Sequence, residues 1–377
     1  MSTKKRIGLL TLPLKSNYGG IIQICALSNY LTGQGYETVL IDKIYSKSPL
    51  KAFAAYVFEH NPFYFLYDRK NATKKRLALK KISDTIYRLL PNRTQKYYSF
   101  KQLEEDIQYY DLQYVIVGSD QVWRMSFIQD NFKDYFLGFI DSKKTAKISY
   151  AASFGVDEWN DERNKQAVID LLKDFKGISV RENTGVDICK NVLELDDVSH
   201  VLDPTLLVDI DFYDSIIKKE IISQKEIGLF NYVLDESQNN RNLIDIISTA
   251  KGLNVSRIEL SDDAKSFSKG ISLKPGLGDW LYHFKESEFV VTDSFHGTVF
   301  SIIYHKQFVC IGNVKRGLTR FTSLLALLGL EDRLVTEETS KERLEEILAV
   351  KIDFAEVDRK LNVLRLKSED FLRTSLQ

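Results

Sequence analysis

Short apolar runs rich in β-branched residues alternate in this chain with longer stretches whose apolar residues recur every three or four positions. No other feature of the sequence constrains the fold as much. Strands are expected at Arg6–Leu12, Glu37–Ile44, Tyr114–Val117, Lys147–Ala151, Ile178–Arg181, Val198–Leu202, Glu226–Val233, Val255–Leu260, Phe289–Thr292 and Phe308–Ile311. Helical spacing lies between most of them, as in Ile21–Leu31, Asp161–Phe175, Asn239–Ala250 and Gly297–Tyr304. Such alternation predicts parallel sheets with helices on both faces. A strand covered on both faces must be apolar on both, and Phe289-Val290-Val291 meets that condition.

A chain of 377 residues is long for one core and suits two. Asp203-Pro204-Thr205 marks the expected boundary, because a residue before proline resists helix and the strand–helix pattern restarts beyond it. We therefore expect two Rossmann-like domains facing across a cleft, 1–205 and 206–354, followed by a C-terminal helix over 355–377. The Lys-, Tyr- and Phe-rich stretch at about 46–105 breaks the rhythm and reads as a helical insertion in the first domain.

Charge narrows the range of partners. Lys plus Arg number 52 and Asp plus Glu number 52, so the chain has no net charge, which argues against a nucleic-acid partner. Cys25, Cys189 and Cys310 lie in or beside apolar runs with no CxxC pair, the pattern of buried free thiols in a reducing compartment. The histidines form no HxxxH pair and the cysteines no cluster, so no metal and no cofactor is called for. The apolar stretch after the basic start is short and ends at Pro13 and Lys15, unlike a secretory signal. No run approaches the ~20 apolar residues of a membrane span. A cytoplasmic protein is expected. Basic-aromatic segments between Lys51 and Tyr98 leave open a peripheral contact with the inner face of the membrane.

Ligands of open α/β sheets bind beyond the carboxyl ends of strands, and five segments at such ends carry polar chemistry. After the first strand comes Pro13-Leu14-Lys15-Ser16-Asn17-Tyr18-Gly19-Gly20. Its glycine pair at a helix start lets backbone N–H groups approach an anion, while Lys15 and Asn17 add side-chain donors. Alone it is also what any tight turn would use. After the third strand, Gly118-Ser119-Asp120-Gln121-Val122-Trp123 offers Asp120 as a helix cap, a base toward a hydroxyl, or a partner for a cation. Arg181 in Ile178-Ser179-Val180-Arg181-Glu182-Asn183 suits a carboxylate or phosphate, or a local ion pair with Glu182 or another acid nearby. Phe289 through Thr298 is the most informative: a very apolar strand delivers Asp293, Ser294, Phe295 and His296 to a helix start, and imidazole transfers protons near neutrality. His60, His200, His283 and His305 lack such a setting and read as structural or exposed. Lys315-Arg316-Gly317-Leu318-Thr319-Arg320 either clamps phosphate or is a solvated loop.

In this order, five pieces of the chain resemble the polysaccharide pyruvyl transferase family. They are Ser16-Asn17-Tyr18-Gly19-Gly20 with Gln23 and Ala26-Leu27; Val117 through Trp123; Ser179-Val180-Arg181-Glu182; Asp203-Pro204-Thr205; and Thr292 through Thr298. The resemblance spans about residues 6 to 330. It implies a GT-B-like fold, phosphoenolpyruvate as donor, and a sugar diol as acceptor on a surface glycan or a lipid-linked oligosaccharide precursor, with a pyruvate ketal as product. It implies donor-binding roles for Arg181 and His296. Many relatives carry arginine two residues before this histidine, where this chain has Ser294, so the missing contact is expected from Arg316, Arg320 or Lys15. Asp120 or Asp293 is expected as base toward the hydroxyl, and His296 either holds phosphate or exchanges the proton. Trp123 and the aromatic insertion are candidates for stacking on sugar, against the commoner fate of core packing. Two other readings fit the same fold: a glycosyltransferase using a nucleotide sugar, and a catalytically silent glycan-binding or scaffold protein.

Overall fold

The computed structural model describes residues 4–44, 79–220, 226–258, 274–312, 317–336 and 338–377. Residues 46–78 of the expected insertion, with His60, and the Lys315-Arg316 pair lie outside the described residues.

All ten expected strands form, within one to four residues of their sequence limits where those residues are described, and every pairing among them is parallel. The first sheet contains β1 (Arg6–Leu10), β2 (Glu37–Leu40), β3 (Tyr114–Gly118), β4 (Ala146–Ala152), β5 (Phe175–Val180) and β6 (Ser199–His200). Its spatial order is β2-β1-β3-β4-β5-β6. The second contains β7 (Ile227–Tyr232), β8 (Val255–Arg257), β9 (Ser287–Thr292), β10 (Gln307–Ile311) and β11 (Leu334–Val335), in the order β11-β10-β9-β7-β8. Helices of the first domain are α1 (Tyr18–Gly33), α2 (Lys80–Leu89), α3 (Phe100–Asp106), α4 (Met125–Ile128), α5 (Phe132–Tyr135), α6 (Lys165–Leu172) and α7 (Asn183–Asp187). The second domain has α8 (Ile210–Lys218), α9 (Gln238–Lys251), α10 (Leu277–Glu286), α11 (Phe295–Ile303), α12 (Leu318–Leu328) and α13 (Lys341–Ala349), and α14 (Phe354–Ser375) ends the chain.

Each sheet reverses its strand order once, between β1 and β3 in the first and between β7 and β9 in the second. At such a point the connections leave toward opposite faces and a crevice opens at the carboxyl ends. The chemistry-bearing segments sit there because of this topology. β3 is buried at all five residues, as a central parallel strand requires. α1 is also buried almost all round, which explains why Gly19 through Ser28 reads as apolar without a polar face.

Two differences from the sequence reading have local causes. The helix expected to run to Phe175 ends at Leu172, and Phe175 opens β5, where it pairs with Lys147. β11 is two residues long and too short to leave a periodic signal.

The two domains are tied together at the crevice. Tyr18 stacks on Trp280 at 5.4 Å between ring centroids and donates its hydroxyl to the Pro275 carbonyl at 2.7 Å. The Asn183 N–H donates to Ser323 Oγ at 3.1 Å, and His200 Nε2 lies 3.4 Å from that same oxygen. Cys25, Cys189 and Cys310 are buried and unpaired, and burial pushes each thiol up to about 12.

Candidate active site

Arg181 follows β5 directly, so strand geometry aims its side chain out of the carboxyl end of the first sheet. His296 lies in the first turn of α11, just after β9 at the carboxyl end of the second. These side chains, one from each domain, meet at the same carboxylate oxygen. Arg181 Nη1 is 2.7 Å from Asp203 Oδ2, and His296 Nε2 is 3.6 Å from it. Ser119 Oγ donates to that oxygen at 2.9 Å. The other oxygen, Oδ1, accepts from the Thr205 N–H at 3.0 Å and the Thr205 hydroxyl at 2.7 Å. Sequence reasoning took Asp203 as a domain boundary; the structure makes it the centre of the cluster, buried to 2% exposure. The signal available in the sequence was its place among the five matching segments.

Burial by itself would push the Asp203 carboxyl up. His296 and Arg181, together with the bond from Thr205, outweigh burial and hold it well below the ordinary carboxylate range.

The remaining cluster is built around Phe295. The Arg181 guanidinium lies 4.5 Å from the centre of its ring and that of Arg320 lies 5.5 Å away. Arg320 comes from the first turn of α12, which starts at Gly317 in the left-handed region with φ 82°. Burial, aided by repulsion from Arg181, pulls the Arg320 guanidinium down to about 10. On Arg181, Nε and Nη2 are buried without a hydrogen-bond partner among the described residues.

The opposite wall comes from α1 and β3. A Cβ on Gly19 would stand 2.2 Å from His296 Nδ1, so only glycine lets the helix start lie against the imidazole. A Cβ on Gly20 would stand 2.9 Å from Asp120 Oδ2, the oxygen to which Asn17 Nδ2 comes within 3.5 Å. Asp120 Oδ1 accepts from the next N–H, that of Gln121, at 2.8 Å, so the residue makes a local turn and does not cap a helix. Buried Gln23 braces this wall: its Oε1 accepts from the Ser119 N–H at 2.9 Å and its Nε2 donates to the Gly20 carbonyl at 2.9 Å.

Other expectations are redirected. Arg181 pairs with Asp203 and not with Glu182. The Glu182 Oε1 atom instead accepts from Ser153 Oγ and from the N–H groups of Phe154 and Gly155, fixing the turn after β4. Asp293 is fully buried, and its two oxygens accept from the N–H groups of Leu234 and Asp235 at 2.7 and 2.9 Å. It fastens the turn after β7 and is poorly placed to act as a base. Ser294 caps α11, accepting from the Gly297 N–H at 3.4 Å. Lys15 is exposed outside the cluster. Trp123 is stacked in the core on Phe136 at 5.2 Å and offers no face to a sugar.

The other described histidines are structural or exposed. His283 Nδ1 donates to the Asp279 carbonyl and the ring packs on Phe230, and exposed His305 lies against Phe354 and Asp358. His200 reaches the Arg181 carbonyl at 3.1 Å and so supports the site from below, and burial lowers its pKa from the usual imidazole value. Among the described residues no group of three or more His, Cys, Asp or Glu is placed to hold a metal ion, and no helix is long and apolar enough to cross a membrane.

Comparison with known proteins adds family and fold. The family model for polysaccharide pyruvyl transferase matches residues 17–315. No curated protein sequence matches the chain. Among solved structures, UDP-N-acetylglucosamine 2-epimerase from Rickettsia bellii superposes with a TM-score of 0.51 at 11% identity, covering 99% of this chain and 96% of that one. LpCGTa in complex with UDP gives a TM-score of 0.50 at 10% identity, covering 99% of each chain. At such identities the likeness concerns fold alone, and the fold is GT-B: two Rossmann-like domains facing across a cleft.

Proposed function

The chain belongs to the polysaccharide pyruvyl transferase family, and from that premise we propose that it transfers the pyruvyl group of phosphoenolpyruvate to two hydroxyls of one sugar in a cell-surface glycan or its lipid-linked precursor. The observation that carries this reading is the meeting of Arg181 and His296, from different domains, in one crevice at the carboxyl ends of both sheets.

The chemistry follows from the donor. A proton adds to its methylene carbon, and the adjacent carbon becomes cationic. One sugar hydroxyl adds to that carbon and loses its proton. The second hydroxyl then takes the place of phosphate on the same carbon, closing a cyclic ketal, and its proton leaves with the departing phosphate or a base. No electrons are exchanged, and the net products are ketal and inorganic phosphate. The site must therefore bind a small, highly charged donor, supply a proton, and accept one.

Arg181 takes the donor carboxylate or phosphate. His296 lies beside it at a helix N-terminus and binds phosphate or exchanges the proton. Arg320, drawn in from α12 to the Phe295 ring, supplies the second guanidinium in place of the arginine that many relatives carry where this chain has Ser294. The N–H groups at Gly19 and Gly20 line the far wall. Asp120 is the base toward the hydroxyl: among the described residues the one hydrogen-bond contact of Oδ2 is that with Asn17 at 3.5 Å.

Purified protein incubated with phosphoenolpyruvate and a panel of oligosaccharide acceptors should release inorganic phosphate and add a pyruvate ketal detectable by mass. His296→Ala should lower that turnover at least ~100-fold, the usual scale for a general acid or base. Nucleotide release from UDP- or GDP-sugars, with no phosphate released from phosphoenolpyruvate, would instead establish a glycosyltransferase.

A further inference from the structure

We propose that Asp203 is the positioning residue of this site: it fixes Arg181 so that the Nε–Nη2 edge of the guanidinium faces an incoming two-oxygen anion, and it sets the resting position of His296 across the crevice. The proposal deepens the reading above and rests on it for the identity of the anion.

The carboxylate is itself immobile. Oδ1 is held twice by Thr205, and Oδ2 accepts from Ser119 Oγ, whose N–H is in turn bound by buried Gln23. Arg181 has two usable edges for a planar anion. Asp203 occupies Nη1 at 2.7 Å, while Nε and Nη2 are buried with no hydrogen-bond partner among the described residues. Leaving two guanidinium N–H groups buried and unpaired is costly unless a ligand completes them. The Nε–Nη2 edge presents two parallel donors, which matches a carboxylate or a phosphate face. Phe295 lies 4.5 Å from the guanidinium and fixes its plane. On the other side, His296 Nε2 is 3.6 Å from Oδ2, within reach of a charge but outside hydrogen-bond length, and it is buried with no hydrogen-bond partner among the described residues, so that nitrogen is left for a substrate. Gly19 limits the ring from behind. Asp203 touches neither domain's ligand groups by chance: it lies in the segment between the two sheets, so it orients a cation of the first domain and an imidazole of the second.

The test compares wild type with Asp203→Asn and Ser119→Ala. Each is measured for thermal unfolding, for binding of phosphoenolpyruvate and of inorganic phosphate by calorimetry, and for kcat and KM in phosphate release. Asp203→Asn is isosteric but removes the charge and puts an amide where the carboxylate accepts from Arg181 and Ser119 and faces His296. It should lower kcat by about 100-fold and weaken phosphoenolpyruvate binding by about 10-fold. Ser119→Ala removes one hydrogen bond to Oδ2 and leaves the charges, so kcat should fall by roughly 3- to 10-fold at an unchanged Tm and nearly unchanged KM. A folded Asp203→Asn protein with wild-type kcat and wild-type anion affinity overturns the proposal. Should Asp203→Asn not fold, Ser119→Ala decides, and wild-type kcat in that variant overturns it. If wild type binds inorganic phosphate but not phosphoenolpyruvate, the donor assignment fails while the role of Asp203 is read from phosphate affinity. If it binds neither anion, both fail.

Discussion

At the scale of single residues, the site is decided by close approach more than by the chemical character of each side chain. Gly19 shows this best. It lies inside α1, where alanine is intrinsically favoured over glycine by roughly 1 kcal/mol. Yet an added methyl would stand 2.2 Å from His296 Nδ1. The imidazole is enclosed by Asp203 and Phe295, so it cannot step aside without leaving its place. Gly19→Ala should therefore lower Tm, because the clash outweighs the gain in helix propensity, and lower kcat by about 100-fold. Thermal unfolding and turnover measured on one preparation check both halves of that expectation. The sequence singled out Gly19, Arg181 and His296 as site candidates by their strand-end positions, and the structure brings the three together. The sequence marked Asp293 for the same reason, and there it misled, because a carboxylate at a strand end serves equally well to hold the neighbouring turn. Distinguishing the two uses requires knowing which N–H groups lie within reach, and no local pattern encodes that.

At the scale of elements, helix starts do the positioning. α10 carries Trp280, which stacks on Tyr18 at the edge of the crevice, and its first turn is held by a residue remote in sequence. Glu220 accepts from the Gly278 N–H at 2.9 Å and from the Asp279 N–H at 3.3 Å, and Thr85 of α2 donates to it at 3.1 Å. A negative group over orphan N–H donors satisfies both their hydrogen bonds and the helix dipole. Glu220→Ala should lower stability by about 1–2 kcal/mol, and Glu220→Gln by less, because the amide oxygen still accepts. Denaturant unfolding checks the ranking. Strand existence was legible from apolar runs, since buried parallel strands are apolar on both faces. Helix limits were less so: between Leu172 and Phe175 the sequence has only Lys173-Asp174 and no glycine or proline to mark a stop, and pairing with β4 decides where the strand begins.

At the scale of the whole molecule, the C-terminal helix α14 closes the architecture. It follows the second sheet in sequence but packs on the first domain, where Ser368 Oγ accepts from the Leu202 N–H at 3.0 Å and the Leu376 carbonyl accepts from Tyr114 at 2.7 Å. Phe371 lies against Tyr150, and Leu372 is buried to 1% exposure. A chain ending at residue 353 should lose cooperative unfolding of the first domain and aggregate, and Leu372→Ala should cost about 2–5 kcal/mol. Soluble yield, near-ultraviolet circular dichroism and thermal unfolding measure these effects, and a truncated protein with native Tm would show that the helix is dispensable. The sequence by itself determined the two parallel sheets and the strand ends where chemistry gathers, because periodicity and burial are properties of neighbouring residues. Only the tertiary structure decided that Asp203 stands between Arg181 and His296, because their meeting depends on how two sheets, each reversing its strand order once, face each other across the chain. That arrangement is set by packing between residues far apart in sequence.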